Sequence, residues 1–134
     1  MIHIHKLTLV RIRKPIKHNI NEKLQWFGSS LGLFGLRDKD RSCFRLFIEL
    51  LKAAKSQDRL SSDELADKLE LSRGTVVHHL NKLIEAGIIV NEHNRYYLRV
   101  ETLKALVEEI RKDIKRTVDD LDEIANEIDT TLGY

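Results

Sequence analysis

Leu60–Gly87, LSSDELADKLELSRGTVVHHLNKLIEAG, is the stretch whose reading decides the fold. Ser61-Ser62-Asp63-Glu64 has the S-x-x-E spacing of a capping box, in which the cap hydroxyl and the Glu64 carboxylate satisfy each other's free backbone N–H groups. Leu65, Ala66 and Leu69 then recur at helical spacing, and Ser72 is a second helix-start signal. Val76, Leu80, Leu83 and Ile84 form one apolar stripe, and Gly87 stops the helix. Two short helices joined by a tight turn have the spacing of a helix-turn-helix, whose second helix is offered to the major groove of DNA.

The remainder of the chain extends this motif on both sides. Phe44, Phe47, Ile48 and Leu51 fall at i, i+3, i+4 and i+7, so a core-facing helix precedes the motif, capped by Asp38 or Asp40 and ending near Lys55. Cys43 lies on or beside that helix as a buried, inert thiol. The loop Ser56–Arg59 leads into the motif. After Gly87, two β-rich runs, Ile88–Val90 and Tyr96–Leu98, flank the polar Asn91–Arg95 and read as a hairpin. Helix, helix, helix, hairpin is the order of a winged helix-turn-helix.

From Glu101 to Leu132 there is no Pro or Gly, and Leu103, Val107, Ile110, Ile114, Thr117, Leu121, Ile124, Ile128 and Thr131 follow alternating steps of four and three. A helix of roughly thirty residues runs about 45 Å, longer than a small domain covers by itself. The expectation is a coiled-coil-like seam pairing with a second subunit through Leu103, Val107, Ile110, Ile114, Leu121, Ile124 and Ile128. Leu106, Val118 and Ala125 widen the apolar face beyond a strict seam.

At the other end, Ile2, Ile4, Val10 and Ile12 alternate with His3, His5, Leu7, Leu9, Arg11 and Arg13 until Pro15, the pattern of an edge strand. Its Arg11, Arg13, Lys14 and Lys17 also suit a basic arm on DNA backbone, but charges protect an edge strand equally well. Asn21–Leu31 reads as a short helix with Leu24, Phe27 and Leu31 on one side. Trp26, Phe27, Leu33 and Phe34 pack against the domain or across a dimer interface, since exposed they would form an apolar patch. The division expected is an N-terminal extension at 1–37, the winged helix-turn-helix at 38–99 and the long helix at 100–134. The fold class is mainly α with a small β-hairpin.

Composition narrows the function classes. A chain of 134 residues, 33% charged and 42% hydrophobic, with one cysteine, suits a cytoplasmic protein without disulfides. No apolar run has the length of a membrane span. The net charge of +2 is undiagnostic, but its distribution is polar. Residues 1–23 carry six Lys/Arg against one acid, and residues 101–134 carry five against ten. A chain basic first and acidic last presents its positive side to phosphates if the acidic tail points away. There is no phosphate-cradling glycine motif, nucleophile–base pairing or convergent carboxylate set, so no catalytic residue and no cofactor is expected.

Ser72–Val90, SRGTVVHHLNKLIEAGIIV, resembles the recognition helix and first wing strand of the ArsR-type winged helix repressors, with the look of archaeal members. The family pattern T-V-S-x-H-L-x-x-L followed by A-G-L-V is matched by Thr75, Val76, His79, Leu80, Leu83, Ala86 and Gly87, while Val77 replaces the usual Ser. The likeness covers about Asp40 to Leu98, and a long C-terminal dimerising helix follows in the expected place. It implies a homodimeric, sequence-specific regulator of transcription, with a recognition helix over about 72–86 and a wing over 88–98.

With Val76, Leu80 and Leu83 inward, residues 73, 77, 78 and 81 face outward. Arg73 suits a bidentate contact with guanine. Ser72 and Thr75 suit phosphate contacts at the helix N-terminus, and Gly74 permits close approach. Val77 suits a thymine methyl group, and His78, Asn81 and Lys82 complete the surface, with His79 packed beneath the helix. His93 and Arg95 of the wing are candidates for flanking backbone or minor-groove contacts.

Metal-sensing relatives use cysteines on the helix before the recognition helix, or His and carboxylates on the last helix. Residues 62–69 have no Cys and residues 101–134 no His. His3 and His5, even with His18, are too few for a convincing site, and His78 and His79 point about 100° apart. A metal-independent regulator is therefore expected, binding double-stranded DNA and a second copy of itself. A small-molecule effector between the paired helices is left open, its chemistry unread. The alternative reading is a winged-helix protein-interaction module without sequence-specific DNA binding, which the acidic last helix would suit.

Overall fold

Cys43, Phe44, Leu46, Phe47, Leu50 and Ala53 are all buried along one side of a fourteen-residue helix, and the other elements assemble around that side. In the computed structural model, which describes residues 6–16, 18–35 and 41–134, this is the second of five helices. Along the chain run α1 (Ile20–Ser30), α2 (Ser42–Lys55), β1 (Leu60–Ser61), α3 (Ser62–Leu69), α4 (Arg73–Glu85), β2 (Ile89–Glu92), β3 (Arg95–Leu98) and α5 (Leu103–Leu132). The chain forms two compact units, one ending at Arg99 and the other running from Val100 to Tyr134. The fold class is that of a winged helix-turn-helix.

In the first unit, the apolar stripes of α2, α3 and α4 meet over Phe47, Leu50, Leu65, Val76, Leu80 and Leu83. The stripe of α2 is rotated from the expected one. Leu46 and Leu50 are fully buried, whereas Ile48 and Leu51 are half-buried. The antiparallel sheet has the order β1-β3-β2, with Leu60 opposite Tyr96 and Ile89 opposite Leu98. Ile89, Tyr96 and Leu98 are its buried side chains, and Ile88, just before β2, is buried as well. The two-residue β1 has no periodicity long enough to be read in advance.

The capping residue expected for α2 is corrected. Asp38 and Asp40 lie outside the described residues, and the N-cap is Arg41, in the left-handed region at φ 56° with no side-chain cap bond. Its guanidinium instead lies 4.6 Å over the Phe44 ring and donates to Gln25 Oε1 at 2.6 Å. The segment after α1 packs onto α2. Phe34 meets Phe44 and Phe47 edge-on at 5.3 and 6.2 Å, and Phe27 stacks on Phe47 at 6.4 Å. Phe34 lies so close to α1 that a Cβ on Gly28 would fall 1.9 Å from its ring, so only glycine fits there.

The N-terminal strand is also corrected. Residues 6–16 form no strand. Their backbone is tied to helix ends, with Lys6 N–H donating to Glu85 O and Val10 N–H to Ser30 O, both at 2.8 Å. These are the last residues of α4 and α1, whose carbonyls lack intrahelical partners. A strand needs a neighbouring strand, and helix termini take the bonds here. The Trp26 indole N–H donates to Ile12 O at 3.0 Å and holds the arm again.

In the second unit, α5 is one uninterrupted helix of 30 residues, started by Thr102 accepting from Ala105 N–H and closed by Gly133 at φ 83°. Pairs such as Lys115–Asp119 at 2.7 Å and Lys112–Glu109 at 3.4 Å lace its surface. Each is worth only about 0.3–0.5 kcal/mol. Of the expected seam, Ile110 is buried, Leu103 and Ile114 are half-buried, and Val107 sits at the edge of exposure. Leu121, Ile124 and Ile128 are 65%, 52% and 52% exposed.

Candidate nucleic-acid interface

The site is built by two helix starts and the turn between them. Ser61 Oγ accepts from Glu64 N–H at 3.0 Å, which is half of the expected capping box. The other half is absent. Glu64 Oε1 accepts from Arg95 at 2.5 Å instead, because Ser61 already belongs to β1 opposite Arg95. Glu70 ends α3 in the left-handed region at φ 56°, and Leu71 N–H returns to Ala66 O at 3.0 Å. That reversal delivers Ser72 as the cap of α4. Its Oγ accepts from Thr75 N–H at 3.1 Å and donates to Thr75 Oγ1 at 2.8 Å.

The helix is then held from behind. Val76, Leu80 and Leu83 are fully buried. His79 Nε2 shares a 2.6 Å hydrogen bond with the buried Ser42 Oγ at the start of α2. Lys82 Nζ donates to Leu33 O at 3.1 Å. Ala86 caps the end, and Gly87 turns the chain into the sheet at φ 75°, where a side chain would be strained.

Against this scaffold the expected contact residues separate into two groups. Ser72, Arg73, Gly74, His78 and Asn81 are exposed, and Thr75 and Val77 are half-buried beside them. Arg73 pairs with Asp63 at 3.5 Å, but both side chains are about three-quarters exposed, so the pair is readily exchanged. Lys82 is directed to Leu33 O, and Arg95 to Glu64 and, at 3.2 Å, to Arg59 O. Both side chains thus have partners within the fold.

Gly74 has nothing within 4 Å of where a Cβ would stand, and its backbone needs no positive φ. Glycine in a helix costs roughly 1 kcal/mol relative to alanine, and nothing in the fold offsets that cost. The Ser72 cap leaves this first turn with its backbone bare at the positive end of the helix dipole, a surface suited to a phosphate.

The hairpin is tighter than expected. Asn91, Glu92 and Arg95 belong to its strands, and only His93 and Asn94 form the turn, both in the left-handed region at φ 53° and 61°. His93 is exposed at the tip. Sequence reasoning missed the cluster behind it. Tyr97 OH donates to Glu92 Oε2 at 2.8 Å, Arg59 pairs with the same oxygen at 3.2 Å, and the Arg59 guanidinium lies 4.2 Å over the Tyr97 ring. The Tyr97 hydrogen bond, with Arg59 beside it, holds the Glu92 carboxyl below its usual range; the same bond raises the Tyr97 hydroxyl. Once the turn has two residues, Glu92 and Tyr97 become diagonal neighbours on one face, which was the available signal.

Among the described residues no group of three or more His, Cys, Asp or Glu is placed to hold a metal ion. His3 and His5 lie outside the described residues, and His18 is exposed. No described helix is long and apolar enough to cross a membrane. Residues 48–90 match the family model for winged helix-turn-helix DNA-binding domains, from the middle of α2 into the first wing strand. Comparisons with curated proteins and with solved structures returned no match. Over residues 48–90 the chain thus matches a winged helix-turn-helix domain of the DNA-binding kind, which supports double-stranded DNA as a partner.

Proposed function

We propose that this protein is a homodimeric, sequence-specific regulator of transcription, with α4 in the major groove and His93 of the wing on flanking backbone. The observation that carries the reading is the outward side of α4. It joins an exposed arginine, an unfilled glycine and two exposed hydrogen-bonding side chains on a helix otherwise fixed from behind. Its likeness to ArsR-type repressors over 72–90 supports a regulatory role, with Val77 placed for a thymine methyl where those repressors have Ser. The exposed aliphatic face of α5 supports pairing of two copies, and two copies fit a pseudo-palindrome with half-sites roughly 34–36 Å apart.

Site selection from random duplexes, followed by mobility-shift titration, tests this. Binding to the selected site weakens steeply as salt rises, and Arg73→Ala costs about 1–3 kcal/mol and relaxes preference at one base pair. Equal binding of wild type and Arg73→Ala removes the base-reading role. No shift with any duplex at low salt would turn the assignment toward a protein-binding winged helix.

Gly74→Ala is expected to act with opposite signs on fold and function. Unfolding free energy rises by up to about 1 kcal/mol, while affinity for the selected duplex falls severalfold, because a methyl group now separates the first turn from the phosphate. A stabilised variant with undiminished affinity would mean that Gly74 lies away from DNA.

A further inference from the structure

Among the described residues, the exposed large apolar side chains fall in two stretches only. Leu9, Val10, Ile12, Ile16 and Ile20 lie on the N-terminal arm, with Ile20 at the start of α1. The others lie on or just after α5, most of them on its distal half: Val118, Leu121, Ile124, Ile128 and Leu132. The two stretches have opposite charge. Residues 6–20 hold five Lys/Arg and no acid, and residues 117–134 hold six acids and no Lys or Arg. On the helix, Val118, Leu121, Ile124, Ile128 and Leu132 share one face at 3.6 residues per turn, bordered by Asp122 and Asp129 on one edge and Asp120 and Glu127 on the other.

Two such helix halves placed face to face would set acid against acid along both edges, whichever way they ran. The complementary surface in this molecule is the arm. Arg11, Arg13 and Lys14 are exposed beside Leu9, Val10 and Ile12. Arm and helix also match in reach. Eight extended residues span roughly 26 Å, and sixteen helical residues about 24 Å. A homodimer sets one copy's arm against the other copy's helix. A two-fold axis makes this exchange twice.

We infer that the apolar, acid-edged distal half of α5 is the docking surface for the basic N-terminal arm of a second copy, each subunit clasping the other's last helix. The inference rests on the homodimer proposed above and names what covers that face.

Charge reversal tests it in the full chain, by sedimentation equilibrium at low salt. Arg11→Glu with Arg13→Glu weakens dimerisation at least tenfold, and so does Asp122→Arg with Glu127→Arg. The four changes combined restore it to within about threefold of wild type, which also shows that the variants fold. Helix-to-helix pairing gives the opposite sign for the second variant, since removing acids from both partners strengthens it. A dimer indifferent to the arm reversal, or strengthened by the helix reversal, overturns the clasp while leaving the homodimer intact. A wild-type chain that stays monomeric at every concentration overturns the homodimer itself, and the clasp with it.

Discussion

Phe47→Ala is expected to destabilise the first unit by about 3–5 kcal/mol, the range for removing a buried phenyl group without backfilling. Phe47 is wholly buried, and it is the ring on which Phe27 stacks and against which Phe34 sets its edge. Its loss therefore opens the core of α2 and the seal made by the residues after α1. For a unit of about a hundred residues this lowers the melting temperature by roughly 15–30 °C. Thermal unfolding followed by circular dichroism measures it. A change under about 1 kcal/mol would mean that the α1 segment does not close the core.

Leu121→Lys combined with Ile128→Lys is expected to leave the winged unit folded while removing self-association. Both side chains are more than half exposed, so the single chain loses little by the change. A pair of linked half-site readers gains an effective concentration that separate readers lack, worth about 10²–10⁴ in affinity. Affinity for a two-half-site duplex should fall by that order, while affinity for an isolated half-site barely changes. Light scattering gives the mass and anisotropy the two affinities. A monomeric variant that retains full affinity for the paired site would show that the copies read DNA independently.

What could be read in advance follows from how locally each feature is encoded. Ser72, the stripe Val76–Leu80–Leu83 and Gly87 encode α4 through contacts within a few residues, and the helix spans Arg73–Glu85 as that pattern implies. The place of the hairpin after α4 and the length of α5 are local in the same sense. Partners distant along the chain were not legible. Lys82 looks like a surface cation until Leu33 O is found beside it, 49 residues away. Arg95 reads as a wing cation, and its bond to Glu64 is visible only once β1 places Glu64 beside it. The arm alternates like a strand, but whether a strand or a helix end lies alongside is a tertiary fact. Gly74 is the reverse case. Its residue type was plain, and only the empty space around it indicates that the fold itself does not require it.

The wing described above has a consequence for how much text the protein can read. Its strands are four residues each and its turn only two, so it reaches on the order of 13 Å and brings just His93 and Asn94 to its tip. On the proposed reading, recognition is thereby concentrated in the few outward side chains of α4, which address only a few base pairs, each mismatch costing about 1–3 kcal/mol. A word that short recurs many times in any genome and has little meaning alone. In the homodimer proposed above, the address is then spelled by two such words and the distance between them, so spacing carries as much information as the letters.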